Sequence, residues 1–188
     1  PQRVTDFARI TVEAGLDLVI VCALDAVDKT HDRIRRYDGA WAAADGCIGG
    51  LIGLRTTHPN LVIGLKTTVL PENVDQLDAI AAYAQQRGLF TIISPAIVTS
   101  GRYLNPDRAA RVALSARDKE SLARFYEGPA FRWSYHADAL ARFLRTGRMK
   151  KPCTCGFNYF FVRSTGAVHL CPLLGESVGA AAGDVRAR

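Results

Sequence analysis

Three apolar runs, separated by segments with helical patterns, constrain the fold of this chain more than any other feature. The runs lie at residues 16–24, 61–69 and 89–94, and the helical patterns lie at 4–14, 40–57 and 74–86. The first run is almost unbroken, which is typical of a strand covered on both faces in a parallel sheet. The regular alternation of helix and strand patterns predicts right-handed βαβ crossovers and an α/β fold.

The pattern changes in the second part of the chain. Residues 107–147 are mainly helical, with Ser115 and Ser134 as predicted N-caps. Two β-rich runs then flank a glycine-containing turn, which predicts a β-hairpin. We therefore predict two units, an α/β domain at 1–147 and a small cysteine-containing hairpin region at 148–188.

Composition excludes several classes of protein. Of the 188 residues 48% are hydrophobic and 22% are charged, as in a folded globular protein. The net charge of +6 is scattered along the chain, so we expect no nucleic-acid groove. No apolar run approaches the roughly 20 residues of a membrane helix, so we expect no membrane partner. Because the chain begins at Pro1 and Met149 is its only methionine, we expect it to be a piece of a longer protein.

Polar residues occur where the predicted strands end. In parallel α/β folds, ligands bind beyond the carboxyl ends of the strands. The candidate residues at these ends are Ala23, Asp25, Lys66, Thr68 and Ser94. A lysine in so apolar a strand needs a partner or a cavity, so Lys66 binds either a ligand carboxylate or an acid such as Asp25. For Asp25 itself, a role in a turn or helix cap is the alternative to ligand binding.

Two histidines lie close in sequence to other candidate residues. His31 is in a charged segment at 28–35, and we expect it on the surface of a short helix. His169 alternates with Cys171 on the predicted hairpin. At that position His169 is either a metal ligand or a packed side chain.

The five cysteines fall into two groups. Cys22 and Cys47 lie in apolar segments, and we expect both to be small buried side chains. An odd number of cysteines without a secretory signal favours a reducing compartment, which we take to be the cytoplasm.

The second group is Cys153, Cys155 and Cys171, within nineteen residues. Thiolates gather where a soft metal compensates their mutual repulsion. Three alternatives remain open for this group, namely an iron–sulfur cluster, a zinc ion with His169 as fourth ligand, and no metal at all.

Several of these segments resemble one known family. The strand end VCALD at 21–25, followed by THDRIR at 30–35, resembles the fourth-strand signature of radical S-adenosylmethionine enzymes. KTTVLPEN at 66–73 resembles the fifth strand and following loop of that family. CTCG at 153–156, followed by GAVHLCP at 166–172, is similar to the opening of the auxiliary-cluster region called SPASM or twitch.

The resemblance implies both a fold and a chemistry. The fold would be the second half of a partial (β/α)6 TIM-like barrel, followed by the auxiliary hairpin region. Enzymes of the family cleave S-adenosylmethionine reductively to a 5′-deoxyadenosyl radical, which abstracts hydrogen from the substrate. The resemblance implies that Ala23 and Asp25 lie near the ribose, Lys66 and Thr68 near the methionine or ribose end, and Ser94 near the adenine.

The resemblance also implies further cofactors and partners. Cys153, Cys155 and Cys171 would hold an auxiliary 4Fe–4S cluster. The CxxxCxxC motif of the family is absent, so the catalytic 4Fe–4S cluster is expected from a missing N-terminal half, and this chain alone is expected to be inactive. Ala23 stands where the family usually has serine. The implied partners are a small-molecule or peptide substrate and a reductant such as a flavodoxin or ferredoxin.

Two other functions are compatible with the sequence. The first is a non-catalytic α/β module that keeps only a structural zinc or iron–sulfur knuckle. The second is a TIM-barrel hydrolase or aldolase with Lys66 as a Schiff-base lysine, which leaves the cysteine cluster unexplained.

Overall fold

The computed structural model describes residues 2–98, 106–132, 134–150 and 153–181. It shows a mixed α/β protein with a three-stranded parallel sheet and a small, separate antiparallel sheet. In chain order the elements are α1 (Gln2–Glu13), β1 (Leu18–Ala23), α2 (Lys29–Arg35), α3 (Ala40–Arg55), β2 (Leu61–Val69), α4 (Leu77–Gln86), β3 (Phe90–Pro95), α5 (Ala116–Tyr126), α6 (Tyr135–Thr146), β4 (Phe161–Val162), β5 (Ala167–His169) and β6 (Gly179–Ala180).

The parallel sheet has the strand order β1-β2-β3. Its register pairs Ala23 with Lys66 and Thr68 with Ser94. The polar strand ends therefore lie together at the carboxyl end of the sheet. The predicted alternation of helix and strand is confirmed, and β2 has the predicted bounds. Successive right-handed crossovers place their helices on one side of a sheet when the strand order is sequential.

The two faces of the sheet differ in burial. The covered face of β2 carries Leu61, Ile63 and Leu65, which pack with Ile48 and Leu51 of α3 in one core cluster. The opposite face, which we call the open face, consists of Val19, Val21, Ala23, Val62, Gly64, Lys66, Thr68, Phe90, Ile92 and Ser94.

Apolar side chains of the open face are exposed, contrary to the prediction that the first strand is covered on both faces. Val19 is 59% exposed, Val62 46% and Ile92 43%. The ring of Phe90 lies over Gly64, where an added Cβ would come within 2.3 Å of it. No element within the described ranges covers this face, and an apolar strand pattern does not reveal whether its second face has a neighbour.

A second core cluster joins the end of the sheet to the C-terminal helices. Its buried members are Val69, Leu77, Ile80, Ile93, Leu122, Ala123, Tyr126, Ala137, Leu140 and Ala141. The Tyr126 hydroxyl donates to the carbonyl of Ile93 at 2.7 Å, which ties α5 to β3. Both predicted N-caps are confirmed, because Ser115 accepts from the Asp118 N–H and Ser134 accepts from the Ala137 N–H.

The hairpin region forms the antiparallel sheet. β4 pairs with β5 as predicted, and β6 adds a third strand that the sequence did not indicate. Within 153–181, only His169 is buried. None of the helices in the described ranges is long and apolar enough to cross a membrane.

Candidate functional site

Four of the five predicted strand-end residues meet on the open face. Lys66 and Ser94 lie on neighbouring strands, and the Lys66 Nζ donates to the Ser94 Oγ at 2.8 Å. Ala23 is in register with Lys66, and Thr68 is in register with Ser94. The carboxyl end of the open face therefore presents one ammonium group and two hydroxyl groups beside a small side chain.

The charge of Lys66 has no carboxylate partner in the part of the chain that the structure describes. The alternative partner, Asp25, pairs instead with Arg35, whose guanidinium nitrogen is 2.7 Å from the Asp25 Oδ2. Since an ammonium group has three donors and Ser94 uses one, two remain for a ligand on the open face.

Asp25 joins the ends of two strands and α2. Its side chain is only 3% exposed, and its Oδ1 accepts from the Thr68 N–H at 3.0 Å. The Asp25 N–H donates to the Nδ1 of His31 at 3.1 Å. Both carboxylate oxygens of Asp25 are engaged within the chain, so a bound ribose would have to share them with Thr68 or Arg35.

His31 is buried, and the expectation of a surface position is wrong. It is 3% exposed and lies in α2, the short helix that the sequence predicted. Burial lowers the pKa of His31, and this effect outweighs the nearby carboxylate of Asp25, which raises the pKa. Because its Nδ1 accepts a backbone hydrogen bond, the neutral ring is the form that fits this site.

Asn73 is a residue of the site that sequence reasoning missed. It is fully buried, and its Nδ2 donates to the carbonyls of Asp25 at 2.7 Å and Thr68 at 3.0 Å. Its Oδ1 accepts from the Leu70 N–H at 2.7 Å. The sequence analysis gave Asn73 only as the last residue of the segment at 66–73, and a local pattern does not show that its amide reaches back to two strand ends.

A cavity on the sheet domain lies apart from the strand ends. It has a volume of about 1120 Å³ and is lined by residues that include Lys29, Arg33, Arg36, Tyr37 and Trp41. None of its lining residues belongs to the open face. At the strand ends themselves, Lys66, Thr68 and Ser94 are each partly buried.

The two cysteines of the sheet domain have the packing role that the sequence predicts. Cys22 and Cys47 are both partly buried against the first core cluster. Burial, helped by the neighbouring Cys47, raises the pKa of Cys22 to about 11. Cys22 therefore stays a protonated, unreactive thiol near neutral pH.

Cys153, Cys155 and Cys171, which we call the cysteine triad, come together in the hairpin region. The thiols of Cys153 and Cys171 both act on the pKa of the Cys155 thiol, as groups that lie close to it do. Its Sγ is 2.7 Å from the Tyr159 hydroxyl. The Leu173 N–H donates to the Cys171 Sγ at 3.4 Å, and N–H donors of this kind stabilise thiolates.

The pKa values within the cysteine triad are shifted in opposite directions. The backbone and thiol of Cys155, in that order, lower the pKa of Cys153. At Cys155 the Tyr159 hydroxyl lowers the pKa, but hydrogen bonds with the other two thiols and loss of hydration outweigh it, so this pKa is raised. Cys153 is therefore the thiol that ionises most readily of this pair.

The fit of these residues to a metal or cluster is incomplete. Three sulfur donors are of the type that soft metals and iron–sulfur clusters need. Both ring nitrogens of the buried His169 lack a hydrogen-bond partner among the residues that the structure describes. However, the described residues include no group of three or more His, Cys, Asp or Glu arranged to hold a metal ion. The sulfur atoms are therefore of the right chemical type, but these residues do not form a closed set of metal ligands.

A scan of protein-family models found no match to this chain, and a search of curated proteins found no significant match.

Proposed function

We propose that this chain is the C-terminal half of the barrel of a radical S-adenosylmethionine enzyme, with an auxiliary iron–sulfur site in its hairpin region. The observation that carries the proposal is the open face, whose carboxyl end bears the Lys66–Ser94 pair. A parallel sheet with helices on one side and an exposed apolar face on the other is what half of a barrel would present.

The sheet edges support the same interpretation. Both β1 and β3 are edge strands of the parallel sheet. Exposed edges of this kind are sites where further strands pair. Strands from an N-terminal half would pair with β1, and the open face would then line the barrel interior.

The open face offers suitable groups for S-adenosylmethionine. The ammonium of Lys66 suits the carboxylate of the methionine moiety, and the hydroxyls of Thr68 and Ser94 can bind ribose or adenine atoms. Ala23 leaves room beside Lys66, and Asp25 and Asn73 hold the strand ends in place. The bound cofactor and its clusters would supply radical hydrogen abstraction from a small molecule or peptide.

The cysteine triad would hold the auxiliary cluster. All five cysteines are free thiols, as a cytoplasmic enzyme supplied by a reductant such as a flavodoxin or ferredoxin requires. The resemblance names these three cysteines as ligands of the auxiliary cluster and names no fourth ligand.

Equilibrium binding of S-adenosylmethionine to the chain tests the proposal. Lys66→Ala should weaken binding about tenfold or more, since a charge-assisted hydrogen bond is lost. Lys119→Ala is the matched control, because Lys119 is an exposed lysine on α5. Equal affinities in the wild-type chain and Lys66→Ala would contradict the proposal.

One alternative function has a specific observation in its favour. A non-catalytic module with a structural zinc or iron–sulfur knuckle would need no cofactor at the strand ends, and both Asp25 oxygens are engaged within the chain. Such a module would bind zinc or iron at the cysteine triad and would not bind S-adenosylmethionine. The same binding measurement therefore separates the two functions.

A further inference from the structure

The cavity of about 1120 Å³ lies between α2 and the start of α3. Ligand pockets usually measure roughly 300–1,000 Å³, so this volume is enough for a small organic molecule. The proposed function does not use the cavity, because none of its lining residues belongs to the open face. Its lining side chains indicate what it can bind.

Three positively charged side chains line the cavity, those of Lys29, Arg33 and Arg36. All three residues are exposed, and none forms an ion pair with a carboxylate in the ranges that the structure describes. Arg33 donates one hydrogen bond to the Thr30 hydroxyl at 2.9 Å, and a guanidinium has further N–H donors. Groups of this kind bind phosphate oxygens through charge-assisted hydrogen bonds.

Arg36 adopts a backbone conformation that favours glycine. It is the C-cap of α2 with φ 52° and ψ 41°, and no other non-glycine residue in the described part of the chain has a positive φ. Glycine is the usual residue at such a helix end because it has no Cβ. An arginine therefore adds a guanidinium here at some cost in backbone energy.

The two carboxylates of the cavity differ in their partners. Asp32 accepts from the Trp41 N–H at 2.7 Å and from the Gly39 N–H at 3.2 Å. These bonds occupy N–H groups at the start of α3, so an anion in the cavity would be held by side chains. Asp38 is exposed and has no ion-pair partner among the described residues, and such a carboxylate can accept from the hydroxyls of a ribose.

Two aromatic side chains complete the lining. Tyr37 is 66% exposed, and Trp41 is partly exposed. The Trp41 ring packs edge-on against the ring of Tyr83, with centroids 5.6 Å apart. Trp41 is therefore held by the core, whereas the Tyr37 ring is available for stacking on a planar base.

We propose that this cavity binds a nucleoside 5′-phosphate. The phosphate would bind the three cations, the ribose hydroxyls would donate to Asp38, and the base would stack on Tyr37. Such a ligand combines an anion, hydroxyl donors and a planar ring, which are the groups that this lining accommodates. The site goes beyond the proposed function, because it shares no residue with the open face.

Isothermal titration calorimetry of the chain with AMP, GMP, CMP and UMP tests the proposal. We expect at least one of the four to bind at least about tenfold more tightly than its own nucleoside and than inorganic phosphate, because both the phosphate and the base contact the cavity. Absence of binding by all four nucleotides would overturn the proposal. Equal affinity for the nucleotide and for its nucleoside or inorganic phosphate would overturn it too.

Two variants locate the site. Arg36→Gly should weaken nucleotide binding about tenfold or more, since a charge-assisted hydrogen bond is lost, and the chain should stay folded because glycine suits the left-handed backbone. Tyr37→Ala removes the stacking ring and should weaken binding about fivefold or more. Arg142→Gln is the control, because Arg142 is an exposed arginine on α6. Unchanged nucleotide affinity in either Arg36→Gly or Tyr37→Ala, with folding checked by circular dichroism, would show that the assignment is wrong.

Discussion

The sheet domain and the hairpin region are built on different physical principles. The sheet domain has two apolar core clusters, and its buried polar residues Asp25, His31 and Asn73 are hydrogen-bonded within the chain. Among residues 153–181 of the hairpin region, His169 is the single buried side chain, and its ring nitrogens have no hydrogen-bond partner among the residues that the structure describes. The difference shows that apolar burial stabilises the first unit, whereas the described part of the second has little apolar burial to stabilise it.

We expect the largest difference between the sheet domain and the hairpin region when a bound metal is removed. After loading with iron and sulfide, a chelator should abolish amide protection in β4, β5 and β6 and leave β1 to β3 unchanged. Hydrogen exchange measured by mass spectrometry gives the result for each segment. Equal protection of the hairpin region before and after chelation would remove the distinction between the units.

The next largest effect is expected at Asn73. Asn73→Ala should lower the free energy of unfolding by about 3 kcal/mol, because two buried carbonyls lose their donor at about 1–3 kcal/mol each. Chemical denaturation monitored by circular dichroism measures the change. Asn158→Ala, at an exposed position in the hairpin region, is the control and should change stability little. A similar small loss for Asn73→Ala would contradict the role of Asn73 in joining strand ends.

The buried His31 should make the sheet domain sensitive to acid. Its pKa is lowered in the folded state from the usual 6.5, mainly by burial, so the unfolded chain takes up the proton first. The unfolding free energy should therefore fall as pH decreases through about 6.5, by at most about 1.4 kcal/mol per pH unit, and level off below the folded-state pKa.

Stability measured as a function of pH in His31→Gln checks this expectation. The variant should lack the part of the pH dependence that His31 contributes, whereas His136→Gln should keep it, since His136 is exposed. Parallel curves for wild type and His31→Gln would be the contrary result.

The smallest effect is expected at the surface of the sheet domain. Arg145 pairs with Glu120 and Glu127 between α5 and α6, and its hydrogen bond lowers the pKa of Glu120 to about 2. These side chains are solvated and screened, so Arg145→Ala should shift Tm by less than about 4 °C. The shift should vanish at about 1 M salt, and a larger salt-independent shift would mean that Arg145 acts through packing.

Sequence patterns predicted the parallel sheet better than its surroundings. The bounds of β2 follow from an apolar run preceded by Pro59 and Asn60, and the serine caps of α5 and α6 follow from local chemistry. The open face was not predicted, because an apolar run looks the same whether its second face is covered or bare. β6 was missed because Gly179 and Ala180 carry no strand pattern.

The candidate site was predicted in part. Lys66, Thr68 and Ser94 share one face because register in a parallel sheet follows from strand ends. Asn73 reaches the carbonyl of Asp25, 48 residues earlier, and a sequence pattern gives no local signal for such a contact. The burial of His31 likewise follows from how α2 packs and not from its charged local sequence.

Anaerobic reconstitution with iron and sulfide, followed by absorption and Mössbauer spectroscopy, tests the central claim most directly. We expect about one cluster per chain, with charge-transfer absorption that is lost when the three cysteines of the triad are replaced by alanine. Stoichiometric zinc without a charge-transfer band, or a cluster that survives the triple replacement, would contradict the account.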